Sequence, residues 1–339
     1  MYKTLGSVYN CLQGGFMILN AIQIKSVAFG YVDSKIKDGL LYLQKCTDAQ
    51  ISAWYNIRQD LGERAEATTG IKLDFYTDGD AIEFSFIKGR KVEVYIDNLF
   101  RGQYLMDEYR NSGKRVCIPL KDTIGNSYDK VRVTVYFPAH DEQGVIDYFE
   151  VKNATYIERY NHSIKVLFIG DSITQGWATM TDTFSYAQRL TRYLDAESVI
   201  NGVGGAMFAE STFDSIDFDP DVVILSYGTN DVGFWQNGDE MLSHIKTYMS
   251  LVKKQYQGKK IFAISPIWRT DFAATFKTGT FAEGRARVKA VAEELGFVHV
   301  DGLKLVPPSA EYFFDHVHPN EQGFSFYAEN LFIELKKHL

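Results

Sequence analysis

The hydrophobic period of this 339-residue chain changes once, near Tyr160-Asn-His-Ser163, and that change limits the folds open to it. Ahead of it lie short apolar runs at 23–32, 71–76, 81–87, 91–97, 115–120 and 130–137, separated by turn signals such as Thr77-Asp-Gly-Asp80 and Asn111-Ser-Gly113. Two runs, Lys91-Val-Glu-Val-Tyr-Ile-Asp97 and Lys130-Val-Arg-Val-Thr-Val-Tyr136, alternate apolar with polar. That alternation predicts a sheet with one packed and one solvated face. The texture predicts an all-β, jelly-roll-like sandwich over residues 1–160. Beyond 163, strands expected at 164–169, 198–201, 222–227, 260–265 and 297–300 alternate with helices expected at 183–194, 238–256, 281–295 and 320–337. This is the pattern of an α/β domain, a doubly wound parallel sheet flanked by helices, over 161–339. A chain this long also exceeds what one core usually serves.

Composition removes several function classes. With 45% apolar and 23% charged residues the chain reads as globular, and a net charge of −7 argues against a general nucleic-acid binder. No apolar run approaches the length of a bilayer span, so no membrane partner is expected. Residues 5–19 are apolar but interrupted by Asn10, Gln13 and glycines, without a small-residue cleavage site, so no signal peptide is read. Cys11, Cys46 and Cys117 make no disulfide framework, which suits a cytoplasmic setting. The sequons at Asn153 and Asn161 imply nothing without secretion. Twenty-one tyrosines and 24 phenylalanines suit a β-rich core first and sugar-stacking surfaces second.

Three motifs carry chemistry. Val166-Leu-Phe-Ile-Gly-Asp-Ser-Ile-Thr174 runs a buried strand into a turn that presents Ser172. Gly228-Thr-Asn-Asp231 ends a second apolar run, and Asp315-His-Val-His-Pro319 lies near the C-terminus. Serine attacks a carbonyl only when a base takes its proton, and histidine, titrating near neutrality, is the usual base. His318 is the candidate base, and Asp315, three residues upstream, can hold one imidazole nitrogen so that the other faces Ser172. His316, two positions before His318, should point elsewhere. The oxyanion needs aimed donors. Asn230 offers a side-chain N–H, Ser172 its own backbone N–H, and the turn Asn201-Gly-Val-Gly-Gly205 a third. Spacing does not say which glycine donates.

Gly-Asp-Ser also suits an ordinary turn, and Asp-x-x-His before proline suits a capped helix. Order and position at strand ends favour a site, because an open α/β sheet gathers ligands beyond the carboxyl ends of its strands. The Asp-His-Val-His cluster suggests a metal, yet no second His or Cys cluster matches it, so neither metal nor cofactor is expected.

Together these residues resemble the four blocks of the SGNH (GDSL-type) hydrolases, over residues 163 to 339. The resemblance implies Ser172 as nucleophile, His318 and Asp315 completing a triad, and an oxyanion hole of the Ser172 amide, Gly205 and Asn230. Gly205 is carried over from the family's Gly-x-Gly-Gly turn, although Ala206 follows it where many members have an acidic or hydroxyl residue. A β-sandwich ahead of such a domain is similar to bacterial carbohydrate esterases that deacetylate polysaccharides. Arg58 to Arg64 and Gly70 to Asp78 resemble parts of their accessory domain.

The expected reaction is hydrolysis of short-chain, acetyl-type esters on a carbohydrate or another small ester through an acyl-enzyme. Trp177, Trp235 and Trp268, with Phe234, follow strand ends and suit a pyranose face, each with a core role as the plainer alternative. Arg269 is a further candidate substrate contact. An acyltransferase or a lipid or thioester hydrolase on the same fold, and a catalytically silent carbohydrate-binding protein, are the competing functions.

Overall fold

In the computed structural model the first half pairs as two antiparallel sheets because its strands carry large apolar residues at every second position. The structure describes residues 17–120, 130–140 and 142–339, and the backbone of 8–10. The side chains of residues 5–16, Cys11 among them, lie outside that set. One sheet runs in the order Val8–Asn10, Tyr156–Arg159, Lys72–Thr77, Val131–Tyr136, Lys91–Ile96 and Leu99–Leu105, with Ala28–Phe29 against Lys72–Thr77. The other runs Val116–Pro119, Ala81–Lys88, Val145–Lys152, Leu40–Gln44 and Asp33–Lys37. Leu73, Phe75, Val133 and Val135 from the first meet Ile82, Phe84, Phe86 and Phe149 from the second in one buried core. Area removed from water at such positions stabilises by about 25 cal/mol per Å².

Two expectations fail in this half. Of residues 23–32 only Ala28–Phe29 pair as strand: Asn20 caps Ala21–Ser26 as a helix, its side chain accepting from Ile22 and Gln23 N–H while Gln23 reaches back to the cap. That capping box outweighs the β texture. Nor is the polar face of 91–97 and 130–137 solvated. Glu93, Arg132 and Thr134 are all buried, because this face packs on the segment from Asp182 to Asp195. Glu93 accepts the N–H groups of Asp182 and Thr183 at 2.7 and 2.9 Å, and the Tyr95 hydroxyl meets Thr183 Oγ1 at 2.7 Å. Arg132 grips Asp74 with two bonds of 2.9 and 2.8 Å, and Lys72 lies 2.9 Å from the same carboxylate. The polar residues are thus paired with one another rather than with water, as burial requires.

The second half is a parallel sheet in the order Ala196–Gly202, Ile164–Gly170, Val222–Ser226, Lys260–Ser265, Val298–Asp301. Tyr186–Tyr193 and Glu321–Lys336 cover one face, through Phe168, Ile224, Phe262 and Tyr327. Gly238–Gln255 and Phe281–Glu294 cover the other. That second face is completed by two helices from the first half, Asp48–Ile57 and Gln59–Glu66, whose Ile51, Trp54, Leu61 and Ala65 pack with Leu167, Ile169 and Val203. The β texture concealed them. Their sequence mark is Thr47-x-x-Gln50, a capping box in which Thr47 accepts the Gln50 N–H and Gln50 accepts the Thr47 N–H. Among the described residues no helix is long and apolar enough to cross a membrane.

Candidate active site

Ser172 stands where strand Ile164–Gly170 ends and a single helical turn, Ser172–Gln175, begins. Asp171 caps that turn through its carboxylate, which accepts the Ile173 N–H at 2.9 Å. The cap leaves the Ser172 N–H without an acceptor among the described residues. The hydroxyl of Ser172 lies 2.8 Å from His318 Nε2, and His318 Nδ1 lies 2.8 Å from Asp315 Oδ2.

The loop carrying Asp315 and His318 is held by a backbone bridge between Phe313 and Pro319. Asp315 Oδ1 accepts the N–H groups of Val317 and His318 at 2.7 and 2.8 Å, so one carboxylate braces both the loop and the ring. Partial burial pushes the Asp315 carboxyl up, but the bonds from the His318 backbone, the His318 ring and the Val317 N–H outweigh it and hold it below the ordinary range. His316 turns away, its Nδ1 2.8 Å from Thr270 Oγ1 and its carbonyl accepting the Thr270 N–H. The two histidines of the motif therefore do not converge. Among the described residues no three His, Cys, Asp or Glu side chains are grouped to hold a metal ion.

Strand Ala196–Gly202 delivers the glycine turn to the same end of the sheet. Gly202 is pressed against the serine turn, where a Cβ would come within 2.6 Å of Gln175 N. Gly205 has φ +86°, a backbone state that side chains disfavour, and its N–H has no acceptor among the described residues. Asn230 Nδ2 donates to Ala206 O at 2.8 Å, which ties the amide to this turn; an amide carries two such protons, and the second finds no acceptor among the described residues.

Beneath these groups lie two buried carboxyls. Asp171 is pushed up to about 7, first by burial and further by Asp231. Burial pushes Asp231 up to about 6, although it accepts the Trp235 Nε1–H and the Phe208 N–H at 2.9 and 3.0 Å. Asp231 Oδ2 is buried without a partner among the described residues.

The four candidate contacts separate. Trp177 is at the site, its ring centroid 6.4 Å from that of His318 and its Nε1 3.3 Å from Gln175 Oε1. Trp235 instead stacks on His244 at 3.6 Å and spends its N–H on Asp231. Trp268 packs edge-on against Phe313 at 5.2 Å. Arg269 is paired with Asp271, with Nη1 3.4 Å from Thr229 O.

Three residues reach this site without a sequence signal of their own. Arg64, on the helix Gln59–Glu66, places its guanidinium 4.9 Å from the Trp177 ring centre and donates to Gly204 O at 3.0 Å. His140 also neighbours Trp177, with ring centroids 5.9 Å apart, and its Nε2 is 3.0 Å from Gly176 O. Gln175, buried, accepts the Gly204 N–H at 2.6 Å. Two of the three come from the antiparallel half, where periodicity says nothing of distant neighbours.

Among curated proteins none matches the chain in sequence. Solved structures share the fold across both halves at low identity. A salicylyl-acyltransferase, SsfX3, from a tetracycline biosynthetic pathway aligns at TM-score 0.74 and 16% identity over 100% of this chain and 99% of that one. A family two carbohydrate esterase from Cellvibrio japonicus aligns at TM-score 0.64 and 14% identity over 95% and 97%. The acetyl xylan esterase Est2A of the rumen bacterium Butyrivibrio proteoclasticus aligns at TM-score 0.64 and 15% identity over 95% and 98%. A model of the GDSL-like lipase/acylhydrolase family matches residues 168–325, the segment that holds Ser172, Gly205, Asn230, Asp315 and His318, so the C-terminal half of this chain is similar to that family.

Proposed function

We propose that the protein is a serine esterase that removes short acyl groups, acetyl above all, from carbohydrates. The observation that carries this reading is the relay Asp315–His318–Ser172, with 2.8 Å at both links. Ser172 Oγ attacks the ester carbonyl as His318 Nε2 takes its proton, and Asp315 stabilises the imidazolium. The oxyanion is received by the N–H groups of Ser172 and Gly205 and by Asn230 Nδ2. His318 returns its proton to the leaving alcohol, then takes one from the water whose oxygen attacks the acyl carbon, and passes that proton to Ser172 Oγ as the acid leaves. Trp177, partly exposed beside His318, offers the flat apolar wall on which a pyranose ring stacks. The esterase neighbours act on this substrate class with the same two-part architecture.

Acyl transfer is the second reading, favoured by end-to-end alignment with an acyltransferase. The same acyl-enzyme serves both, and access of water decides between them. The test is hydrolysis of p-nitrophenyl acetate, butyrate and octanoate beside acetate release from acetylated xylan fragments, with Ser172→Ala as blank. Serine-dependent release from short esters and sugar fragments is expected. Octanoate preference would overturn the acetyl assignment, and acylation of an added sugar in place of hydrolysis would establish transfer.

A further inference from the structure

The turn that carries Gly205 is gripped by cations from the other half of the molecule. Lys45, wholly buried, donates from Nζ to Gly202 O at 2.8 Å, Arg64 O at 2.9 Å and Thr69 Oγ1 at 3.1 Å. Arg64, also paired with Asp60 at 2.9 Å, donates from Nη1 to Gly204 O at 3.0 Å. Gln175 completes the clamp: its Oε1 takes the Gly204 N–H, and its Nε2 donates to His140 O at 3.0 Å and Arg64 O at 3.3 Å.

The carbonyl of Gly204 and the N–H of Gly205 are two ends of one peptide unit. That unit is planar and trans, with no cis bonds among the described residues, so its C=O and N–H point in opposite directions. Whatever holds the carbonyl therefore aims the N–H. A charged donor on the oxygen also polarises the amide, which makes its proton a stronger donor at the far end. Glycine at 205 has φ +86° and many accessible backbone states, so the turn needs an external hold to keep one of them.

We propose that Arg64 is a positioning residue for the oxyanion hole, aiming and polarising the Gly205 N–H through the Gly204 carbonyl, with Lys45 anchoring the start of the same turn at Gly202. The antiparallel half is then a working part of the catalytic site. The inference rests on the assignment of Ser172 as nucleophile and Gly205 as oxyanion donor made above.

The test uses the full chain and p-nitrophenyl acetate, an ester too small to depend on remote binding. Arg64→Met keeps an aliphatic side chain and removes the guanidinium; Lys45→Met keeps the buried stem and removes the ammonium. Each is expected to lower kcat by about 10- to 100-fold, the scale of a small misplacement of catalytic groups, with KM little changed. Arg64→Lys should recover part of the loss, since an ammonium still donates to a carbonyl. Thermal melting and near-ultraviolet circular dichroism check that the variants fold; if one variant does not, the other carries the same test. A kcat within about twofold of wild type in the folded variants, or an effect confined to KM, overturns the proposal when Ser172→Ala is inactive. An active Ser172→Ala would instead remove the assignment of the site itself, so the two failures are distinct.

Discussion

Ser172 and His318, 146 residues apart in sequence, meet through a 2.8 Å contact between Oγ and Nε2 at the carboxyl end of the parallel sheet. Strand Ile164–Gly170 presents the serine, and a loop fastened by Asp315 returns the histidine to it. The contact has direct consequences for variants of the relay.

Replacing His318 by Ala should lower kcat by about 10⁴ or more, because no other base contacts the serine hydroxyl among the described residues. Asp315→Ala should be less severe by about tenfold or more, since the aspartate orients the ring and does not itself take the proton. Steady-state kinetics on p-nitrophenyl acetate decides this; an Asp315→Ala loss equal to that of His318→Ala would mean that the loop, braced by the same carboxylate, has come apart.

Asn230→Ala should lower kcat by about 10²–10³ with KM nearly unchanged, the usual result of deleting one oxyanion donor. A variant with wild-type turnover would move that donor elsewhere.

Asp171 ties stability to pH. Its carboxyl is raised in the folded protein, so its contribution is complete below the ordinary aspartate value near 4 and is lost as pH rises through about 7. Asp171→Asn keeps the acceptor for the Ile173 N–H and does not ionise. Relative to wild type, its unfolding free energy should improve between pH 5 and pH 8, by about 2–3 kcal/mol at most. Urea unfolding at the two pH values measures this, and a difference that stays constant with pH contradicts it.

Asp74 behaves in the opposite sense. Burial opposes its ionisation, but Lys72, Arg132 and His162 together hold its carboxyl far below the usual range. Its stabilisation is therefore present above the ordinary aspartate value and lost as pH falls toward the depressed one. Asp74→Ala, which takes the carboxylate from the buried Lys72 and the closest one from Arg132, should destabilise by about 3–5 kcal/mol near neutrality. Urea unfolding should show that gap narrowing as the buffer is taken below about pH 4; an equal gap at all pH values would contradict the assignment.

Much of this was legible in the chain itself, for local reasons. A strand that ends in Gly-Asp-Ser must turn, and a serine at that turn is presented. Asp-x-x-His places a carboxylate within reach of the ring three residues on. The strand–helix period beyond residue 163 specifies a parallel sheet, whose carboxyl ends collect the motifs. His316 could be set aside by spacing alone, and it does face Thr270.

What tertiary structure decided was every relation carried by packing between distant segments. Arg58 to Arg64 read only as a resemblance to an accessory domain; docking of the helix Gln59–Glu66 on the parallel sheet is what brings Arg64 to Gly204. Trp177, Trp235 and Trp268 look alike in sequence, yet Trp177 alone of the three has its ring against His318, because hydrogen bonding to Asp231 and packing on Phe313 claim the others. The alternation Val-Arg-Val-Thr-Val suggested a wet face, and an ion pair between Arg132 and Asp74 keeps it dry. Hydrophobic period records which side of a strand is apolar. It does not record what covers the polar side, because charges at short range can satisfy one another where water would otherwise be needed.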